Sequence, residues 1–328
     1  MPTPRDNAIS PVADGDLWLL LRSTWFAAGR LLALETARYD LTPEQATILR
    51  ILRDRERPLT VRQLEDITMR QHNSLTILIN RMLGAGLLQR ERRPDGKGYA
   101  ISLSGKGKDR LGQVSQVSIE TTFFVLSDQE RAALQASLTP LYRKARDLLT
   151  VSHQPPFLQL LKSRTGNGEQ PCTGPEALST WELWDLLAHT GFAISRLREL
   201  ELAPLGLTMM QSLVFKILDD NGGTITTKTL EDFTMRQHHS ISTLINRMTK
   251  MGLVTRQRIP HGRRHIISFT PAGRDLHCNM TTYAIEMTLA TLSESRKQDL
   301  ARCLEKLLTR ARELLGLTEP FPVTIGGK

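Results

Sequence analysis

Apolar side chains recur along most of the chain at the three- and four-residue spacing of an α-helix. Between residues 16 and 37 the apolar stripe runs through Leu17, Leu20 and Leu31, which predicts a long first helix. The next segment, Thr42–Gln45, has the sequence of a helix start, with threonine as the N-cap, proline at the first helical position and glutamine in a capping box. The pattern therefore predicts two successive helices.

The same Thr-x-x-Gln pattern occurs twice more within a few residues, at Thr60–Gln63 and at Thr68–Gln71. Two caps this close together predict a short helix, a tight turn and a second helix, which is the outline of a helix-turn-helix. The second helix is expected from about Met69 to Leu83, with Leu75 and Ile79 on the stripe that faces the core. Most of its remaining surface is polar.

A short β signal follows this second helix. Leu87–Arg92 and Tyr99–Leu103 flank the glycine-rich, basic segment Pro94–Gly98, which predicts a β-hairpin. A helix-turn-helix followed by a basic hairpin is a winged helix. Residues 105–126 and a helix opened by the capping box Ser127–Glu130 are predicted to complete the unit.

The whole pattern then occurs a second time, 166 residues further along the chain. Thr68–His72 is identical to Thr234–His238, and Leu78–Met82 is identical to Leu244–Met248. A long duplication without gaps implies two copies of one domain. The predicted fold is mostly α, with two tandem winged helix-turn-helix repeats joined by a helical dimerisation region into a pseudo-two-fold single-chain dimer.

The expected boundaries follow from the repeat and from a segment rich in proline and glycine between the two copies. They are a flexible N-terminus at 1–15, repeat one at 16–150, a linker at 151–178, repeat two at 179–315 and a tail at 316–328.

Composition narrows the function. The chain of 328 residues is 40% hydrophobic and 23% charged, with a net charge of +9, and both repeats are basic, which favours two similar contacts with a polyanion. It shows no leader sequence and no long apolar run, so a cytoplasmic location is expected. Three cysteines without CxxC spacing argue against a disulfide framework or a zinc site. Without a nucleotide-binding or catalytic motif we expect no cofactor, no metal and no enzymatic activity.

Two motifs carry a family resemblance. Leu78–Met82, followed by Gly86-Leu87-Leu88-x-Arg90, and the wing segment Asp95–Lys97 before Ile101–Ser104 resemble the MarR family of bacterial winged helix-turn-helix transcription regulators. The wing departs from the family pattern, because Gly96 and Lys97 occupy positions where the family has arginine. The resemblance covers both repeats, about four-fifths of the chain. It implies a fused dimer that pairs through its first and last helices; whether the repeats pair within one chain or swap between two chains is left open.

The expected partner is double-stranded DNA, read by two recognition helices in major grooves while basic wings hold the backbone or the minor groove. The candidate DNA contacts on the helices are Arg70, Gln71, Asn73, Ser74 and Thr76 in repeat one, and Arg236, Gln237, His239, Ser240 and Ser242 in repeat two. The candidate contacts on the wings are Arg92, Arg93, Lys97, Arg258, Arg263 and Arg264.

Simpler roles compete with some of these assignments. Gln71 and Gln237 could serve only as capping partners, His72 and His238 as packing or hydrogen-bonding residues, Asn80-Arg81 as a brace of the lobe, and the wing cations as a solvated hairpin. The reading positions also differ between repeats, since Asn73 corresponds to His239 and Ile77 to Thr243. This difference predicts an operator that is an imperfect palindrome. The resemblance implies a transcription regulator, which we expect to be a repressor, although the sequence does not decide between repression and activation.

The resemblance further implies a small-molecule effector that binds between the dimerisation helices and the DNA lobe. Candidates for lining that site are Trp18, Trp25, Phe26, Trp184 and Phe192, although aromatic residues at helical spacing are also typical of a plain core. Two other functions compete with a sequence-specific regulator. One is an architectural protein that binds DNA without sequence preference, and the other is a scaffold that has lost DNA binding.

Overall fold

The first half of the computed structural model follows the predicted order of elements. The described residues are 12–93, 96, 98–115, 117–150, 177–258 and 265–317. Repeat one consists of α1 (Asp14–Ala37), α2 (Pro43–Arg55), α3 (Val61–Thr68), α4 (His72–Gly84), β1 (Leu88–Arg92), β2 (Tyr99–Leu103), α5 (Gly105–Gln113), α6 (Val117–Phe123) and α7 (Asp128–Leu148).

The second half repeats the first at a constant shift. It consists of α8 (Thr180–Leu202) with a short 3-10 turn (Ala203–Leu205), α9 (Met209–Asp220), β3 (Thr224–Thr226), α10 (Thr227–Thr234), α11 (His238–Lys250), β4 (Val254–Arg258), β5 (His265–Phe269), α12 (Pro271–Cys278), α13 (Tyr283–Leu289) and α14 (Glu294–Leu314). Every helix of repeat one begins 166 residues before its counterpart. The prediction of two winged helix-turn-helix repeats is confirmed.

Capping explains most helix starts. Complete capping boxes open α2 at Thr42, α3 at Thr60 and α7 at Ser127, as predicted. The third predicted cap was wrong: the Thr68 hydroxyl donates to the Leu64 carbonyl oxygen at 2.7 Å, one turn back within α3. Thr68 is instead the last residue of α3, and the N-cap of α4 is Gln71, which makes no side-chain capping bond.

The turn between α3 and α4 contains a methionine in the left-handed region, Met69, with φ of 54°. Its counterpart Met235 has φ of 52°. Both side chains are buried in a core that the two halves share, and this burial offsets the strain of a left-handed backbone. The predicted recognition helix consequently begins at His72 rather than at Met69.

The segment after each wing forms two short helices. In repeat one, residues 105–126 were predicted to be a single helical stretch. α5 ends at Gln113, and Val114 is extended. The buried carboxylate of Glu35 on α1 accepts hydrogen bonds from the hydroxyls of Ser115 and Ser118. These bonds hold the break against the first helix, and a second helix, α6, starts after it.

Each wing is an antiparallel hairpin. β1 pairs with β2 from Leu88 opposite Leu103 to Arg92 opposite Tyr99, and β4 pairs with β5 in the equivalent register. Repeat two adds β3 as a third strand beside β5, where repeat one has a single bridge between Leu59 and Ile101. The hairpin tips at 94, 95, 97 and 259–264 lie outside the described residues.

The two halves are joined by exchanged packing of their long helices. α1 packs against α14 of repeat two, and α7 of repeat one packs against α8. The shared core contains Phe123 and Tyr142 from repeat one together with Trp184 and Leu304 from repeat two. Each winged lobe has a separate core of its own. The predicted pseudo-two-fold arrangement through the first and last helices is therefore present within one chain.

The first helix begins two residues before the expected start of repeat one at residue 16. Val12 is buried and α1 begins at Asp14, and the Asp14 carboxylate pairs with Lys297 of α14 at 2.7 Å. The N-terminal side of repeat one thus begins before residue 16. Residues 1–11, most of the predicted linker (151–176) and most of the predicted tail (318–328) lie outside the described residues.

By length and composition, α1 could cross a membrane. From the sequence, no apolar run long enough for this was expected. Yet 67% of its most apolar window is buried within the protein, where α1 contacts α14 and α6. This degree of burial is typical of the central helix of a folded domain. α8 and α9 pass the same test only when taken together across a bend of 89°.

Candidate nucleic-acid interface and adjoining cavity

The exposed face of α4 presents most of the predicted reading residues. Asn73 and Ser74 are exposed, and Leu75 and Ile79 on the opposite face are buried. Between the polar positions stands Ile77, whose side chain is 60% exposed. A branched apolar side chain in this position is suited to contact with a thymine methyl group.

The matching face of α11 has the same frame with different side chains. His239 and Thr243 are exposed at the positions of Asn73 and Ile77, and Ser240 is half-buried. Gln71 and Gln237 are exposed N-cap residues of α4 and α11, and neither helix start has a side-chain capping bond. The alternative role of the two glutamines as capping partners was therefore wrong.

One predicted reading residue faces inward. The Thr76 hydroxyl is buried and has no hydrogen-bond partner among the described residues, because this position lies on the side of α4 that packs against the lobe. Its counterpart Ser242 is half-buried, with its oxygen 3.4 Å from Nε2 of His238. In this conformation the Thr76 hydroxyl cannot reach a base.

The two arginines of the turns also depart from the prediction. The guanidinium carbon of Arg70 lies 6.0 Å from the ring centroid of Phe192 on α8, and the guanidinium is 3.6 Å from the Glu44 carboxylate. Arg236 lies 5.5 Å from the ring centroid of Phe26 on α1. Each arginine thus contacts the long helix of the opposite half, and neither stands on the exposed face of its recognition helix.

The histidines that open α4 and α11 brace the helix-turn-helix. His72 Nδ1 bonds to the Glu65 carboxylate of α3, and His238 Nδ1 lies 2.6 Å from the Glu231 carboxylate of α10. Both side chains are about two-thirds exposed, at 69% and 67%. The hydrogen-bonding alternative for these residues is confirmed, and core packing is not.

A second brace connects each recognition helix to its wing. The Arg90 guanidinium donates to Oδ1 of Asn80 at 3.0 Å, and Arg256 donates to Oδ1 of Asn246 at 2.6 Å. The proposed bracing role of Asn80 is confirmed. Sequence reasoning missed Arg90 and Arg256 as its partners, although the fixed spacing of ten residues in both repeats was a usable signal.

Only three of the six candidate wing contacts lie among the described residues. Arg92 and Arg258 are exposed on β1 and β4, and Arg93 is half-buried beyond the end of β1. The remaining predicted wing contacts, Lys97, Arg263 and Arg264, lie outside the described residues.

A cavity of about 410 Å³ lies beneath the lobe of repeat one. It is enclosed by α1, α2, α8 and the turn between α3 and α4. The predicted aromatic residues that line it are Trp25, Phe26, Trp184 and Phe192. Trp18, the fifth predicted residue, is not part of the lining. It packs in the shared core with 8% of its surface exposed.

The comparison with protein families agrees with the two winged lobes. A family model described as the MarR family matches residues 39–97 and again residues 205–265. The chain is a tandem MarR-family protein. The two matches fall on the two winged lobes, so each repeat carries the family's DNA-binding domain, and this assignment supports a DNA-binding transcription regulator.

Solved structures similar to this MarR-family chain include two of the organohalide-sensing transcriptional regulator RdhR-CbdbA1625, one ligand-free and one bound to 2,4-dichlorophenol. Each shows 23% sequence identity and a TM-score of 0.37, and the match covers 45% of this chain and 89% of the other. No curated protein matches the chain.

Three polar residues form one wall of the cavity in this MarR-family chain. Arg50 on α2 lies 3.6 Å from the Asp185 carboxylate of α8 and 3.9 Å above the ring of Trp181. His189 Nδ1 lies 2.7 Å from the backbone carbonyl oxygen of Asp185. Burial raises the pKa of Asp185, although the Arg50 charge opposes that rise. For His189, burial has the opposite effect and lowers the pKa.

Sequence reasoning missed these three residues. Asp185 and His189 interrupt the apolar side of α8 at positions where α1 has Leu19 and Ser23. A position-by-position comparison of the two repeats would have found both residues. Chemically, the wall can accept a hydrogen-bonding group, since the buried Nε of Arg50 has no partner among the described residues.

Metal binding and cysteine chemistry have no visible basis in the described part of the chain. No group of three or more histidine, cysteine, aspartate or glutamate side chains there could hold a metal ion. Cys278 is exposed and Cys303 is buried, and burial raises the pKa of the Cys303 thiol to about 11, which disfavours the reactive thiolate.

Proposed function

We propose that the chain is a sequence-specific repressor that binds double-stranded DNA as an intramolecular dimer. The observation that carries this proposal is the pair of recognition helices, α4 and α11, which begin at the same repeat position and expose their polar faces. The shared core holds both lobes in one polypeptide. A dimeric reader needs two such helices, placed in successive major grooves.

On α4, the residues proposed to face the bases are Asn73, Ser74 and Ile77. Asparagine can pair with adenine, serine can meet a base or a phosphate, and isoleucine can contact a thymine methyl group. Both helix starts lack a side-chain cap, so their first backbone N–H groups are available to a phosphate. The wings would hold the backbone through Arg92, Arg93, Lys97, Arg258, Arg263 and Arg264.

On α11, the same positions carry His239, Ser240 and Thr243. Because the two faces offer different donors and acceptors, the proposed operator is a palindrome whose two half-sites differ. Arg70 and Arg236 are removed from the base-reading set, since their guanidinium groups lie over aromatic rings of the opposite half.

The proposed release mechanism uses the cavity. Thr68 and Arg70, in the turn that leads into α4, belong to its lining. A small molecule that fills the cavity would therefore contact the segment just before the recognition helix, and through it could change the spacing of the lobes. We place this regulator in the cytoplasm, where its operator is found.

The deciding experiment is selection of bound DNA from a random pool, followed by fluorescence anisotropy at fixed salt. We expect the selected site to be bound far more tightly than random DNA, and more tightly than a perfect palindrome built from either half-site. Light scattering of the complex should show one chain of 36.9 kDa per operator. Equal affinity for random DNA would favour an architectural protein, and no binding would favour a scaffold.

A further inference from the structure

The pseudo-two-fold relation gives the cavity a counterpart position in the other half. The existing cavity lies between α2 and the turn of repeat one on one side and α8 on the other. The counterpart position lies between α9, the turn of repeat two and α1. A symmetric pair of chains would have two equal cavities, so any difference between these positions belongs to the fused chain.

The residues at the two positions differ in size and charge. Ala188 in the open cavity corresponds to Arg22, and Glu44 corresponds to Met210. The polar wall is also missing from the counterpart, where Leu19 replaces Asp185. Lys216, the counterpart of Arg50, turns away and pairs with Asp16 and Asp220 at 2.9 and 2.6 Å.

Arg22 crosses the counterpart position. It extends from the place of Ala188 over the Phe26 ring, with its guanidinium carbon 5.6 Å from the centroid. It ends at the place of Glu44, where Nη2 lies 3.1 Å from the sulfur of Met210. Only 7% of Arg22 is exposed. The side chain therefore occupies the space between two positions that are both cavity lining in repeat one.

Packing keeps Arg22 there against an electrostatic cost. Arg236 lies against the same Phe26 ring, and the described residues offer Arg22 no ion pair. Burial and the nearby Arg236 charge lower the pKa of Arg22 to about 10, so the side chain is still charged at neutral pH. A buried cation in this setting is costly, and its removal would leave a space lined by Phe26 and Met210.

We infer that each chain has one effector site, on the side of repeat one, and that Arg22 closes its counterpart. This inference rests on the proposed effector control of DNA binding. The described lining includes α1, α2, α8 and the turn before α4, but no residue from 203–258 or 265–317. One effector molecule would thus act directly on the repeat-one lobe alone.

The open site also defines the kind of molecule it takes. Trp25, Trp184 and Phe192 provide flat apolar walls, and Trp25 lies so close to Gly191 that a Cβ there would be 2.9 Å from the indole. The buried Nε of Arg50 provides a hydrogen-bond donor. A flat molecule with an apolar face and a hydrogen-bond acceptor fits these features.

The test uses the full chain and the fluorescent probe 8-anilinonaphthalene-1-sulfonate, an aromatic molecule with an acceptor group. Calorimetric titration should give one probe per chain. Ala188→Arg places the closing side chain in the open site and should weaken binding by about tenfold or more. Arg22→Ala should raise the stoichiometry from one to two.

Ala37→Arg, at the exposed end of α1, is the matched control for an added arginine and should bind the probe normally. If Arg22→Ala fails to fold by circular dichroism, Ala188→Arg decides alone. Two probes per unaltered chain, no probe binding at all, or unchanged binding by Ala188→Arg would overturn the inference. If the unaltered chain binds one probe molecule but does not bind DNA, the proposed function alone is contradicted.

Discussion

The two repeats have the same frame but differ at the surfaces where a ligand would meet them. Leu75, Ile79 and Met82 on the buried side of α4 have their matches Ile241, Ile245 and Met248 on the buried side of α11. On the exposed side, Asn73 of α4 corresponds to His239 of α11. The duplicated chain thus retains the apolar pattern that packs each lobe and varies the positions that packing leaves free.

The lobe interiors differ as well, although less visibly. Repeat two has an aromatic cluster in which Phe269 lies 5.5 Å from Phe215 and 5.6 Å from His277, measured between ring centroids. At the three corresponding positions repeat one has Leu49, Leu103 and Leu111. Each lobe can therefore be perturbed separately, and the effects can be ranked.

The largest effect is expected from the aromatic cluster. Phe215 is fully buried, so Phe215→Ala should lower the free energy of unfolding by about 3–5 kcal/mol, measured by urea denaturation. The matched Leu49→Ala should cost about 2–5 kcal/mol. The smaller loss is expected in repeat one because leucine leaves a smaller void. A greater loss for Leu49→Ala would contradict the ranking of the two cores.

The next effect concerns DNA recognition. Asn73→His gives α4 the reading residue of α11, and it should improve binding to a palindrome made of the repeat-two half-site by about 1–3 kcal/mol. Anisotropy with both symmetric operators measures the change. His239→Asn is the reciprocal control and should favour the other palindrome. Unchanged preference in both variants would show that these positions do not read bases.

A smaller, symmetric effect is expected from the wing braces. Asn80→Ala and Asn246→Ala each remove an acceptor from a wing arginine, at a cost of about 0.5–1.5 kcal/mol in unfolding free energy. Thermal denaturation should show similar shifts for the two variants. A shift in only one of them would mean that the brace stabilises one lobe and is incidental in the other.

The smallest effect is a pH dependence from His189, a position where repeat one has Ser23. Burial lowers the pKa of His189, with Arg50 and Arg146 acting in the same direction and Asp185 opposing them. The unfolded chain, with a histidine pKa of about 6.5, binds a proton that the folded chain resists. The stability from neutral His189 is therefore complete above that pH and is lost as the pH falls through and below it.

His189→Ser introduces the residue found at position 23 and should reduce the loss of melting temperature between about pH 7.5 and pH 5.5. His239→Ala, at an exposed histidine that makes no ion pair among the described residues, is the control. An identical pH profile for the unaltered chain and His189→Ser would rule out this role for His189.

Much of the fold was predictable because it depends on local signals. Helix periodicity and capping boxes such as Thr42–Gln45 located the helices, and a duplication without gaps located the second copy. The cap at Thr68 was mispredicted because the same hydroxyl can bond to Leu64 one turn back, and sequence spacing does not decide between these options. Arg70 was misplaced for a different reason, since its partner Phe192 belongs to the other half.

The cavity was predictable only in part. Its aromatic walls were predicted, since Trp25 and Phe26 of α1 and Trp184 and Phe192 of α8 all belong to the lining. Its polar wall depends on the approach of α2 to α8, which brings Arg50 to Asp185 across more than a hundred residues of sequence. Such a long-range contact leaves no periodic trace in the chain.

The core that α1 and α7 share with α8 and α14 has a consequence for dosage. A reader assembled from two separate chains loses its partner on dilution, so the active species declines with the square of the chain concentration when copies are scarce. In the proposed intramolecular dimer both recognition helices belong to one molecule, so the number of DNA-binding units would equal the number of chains. Operator occupancy should then follow copy number in simple proportion, so that the switch can work with very few molecules in a cell.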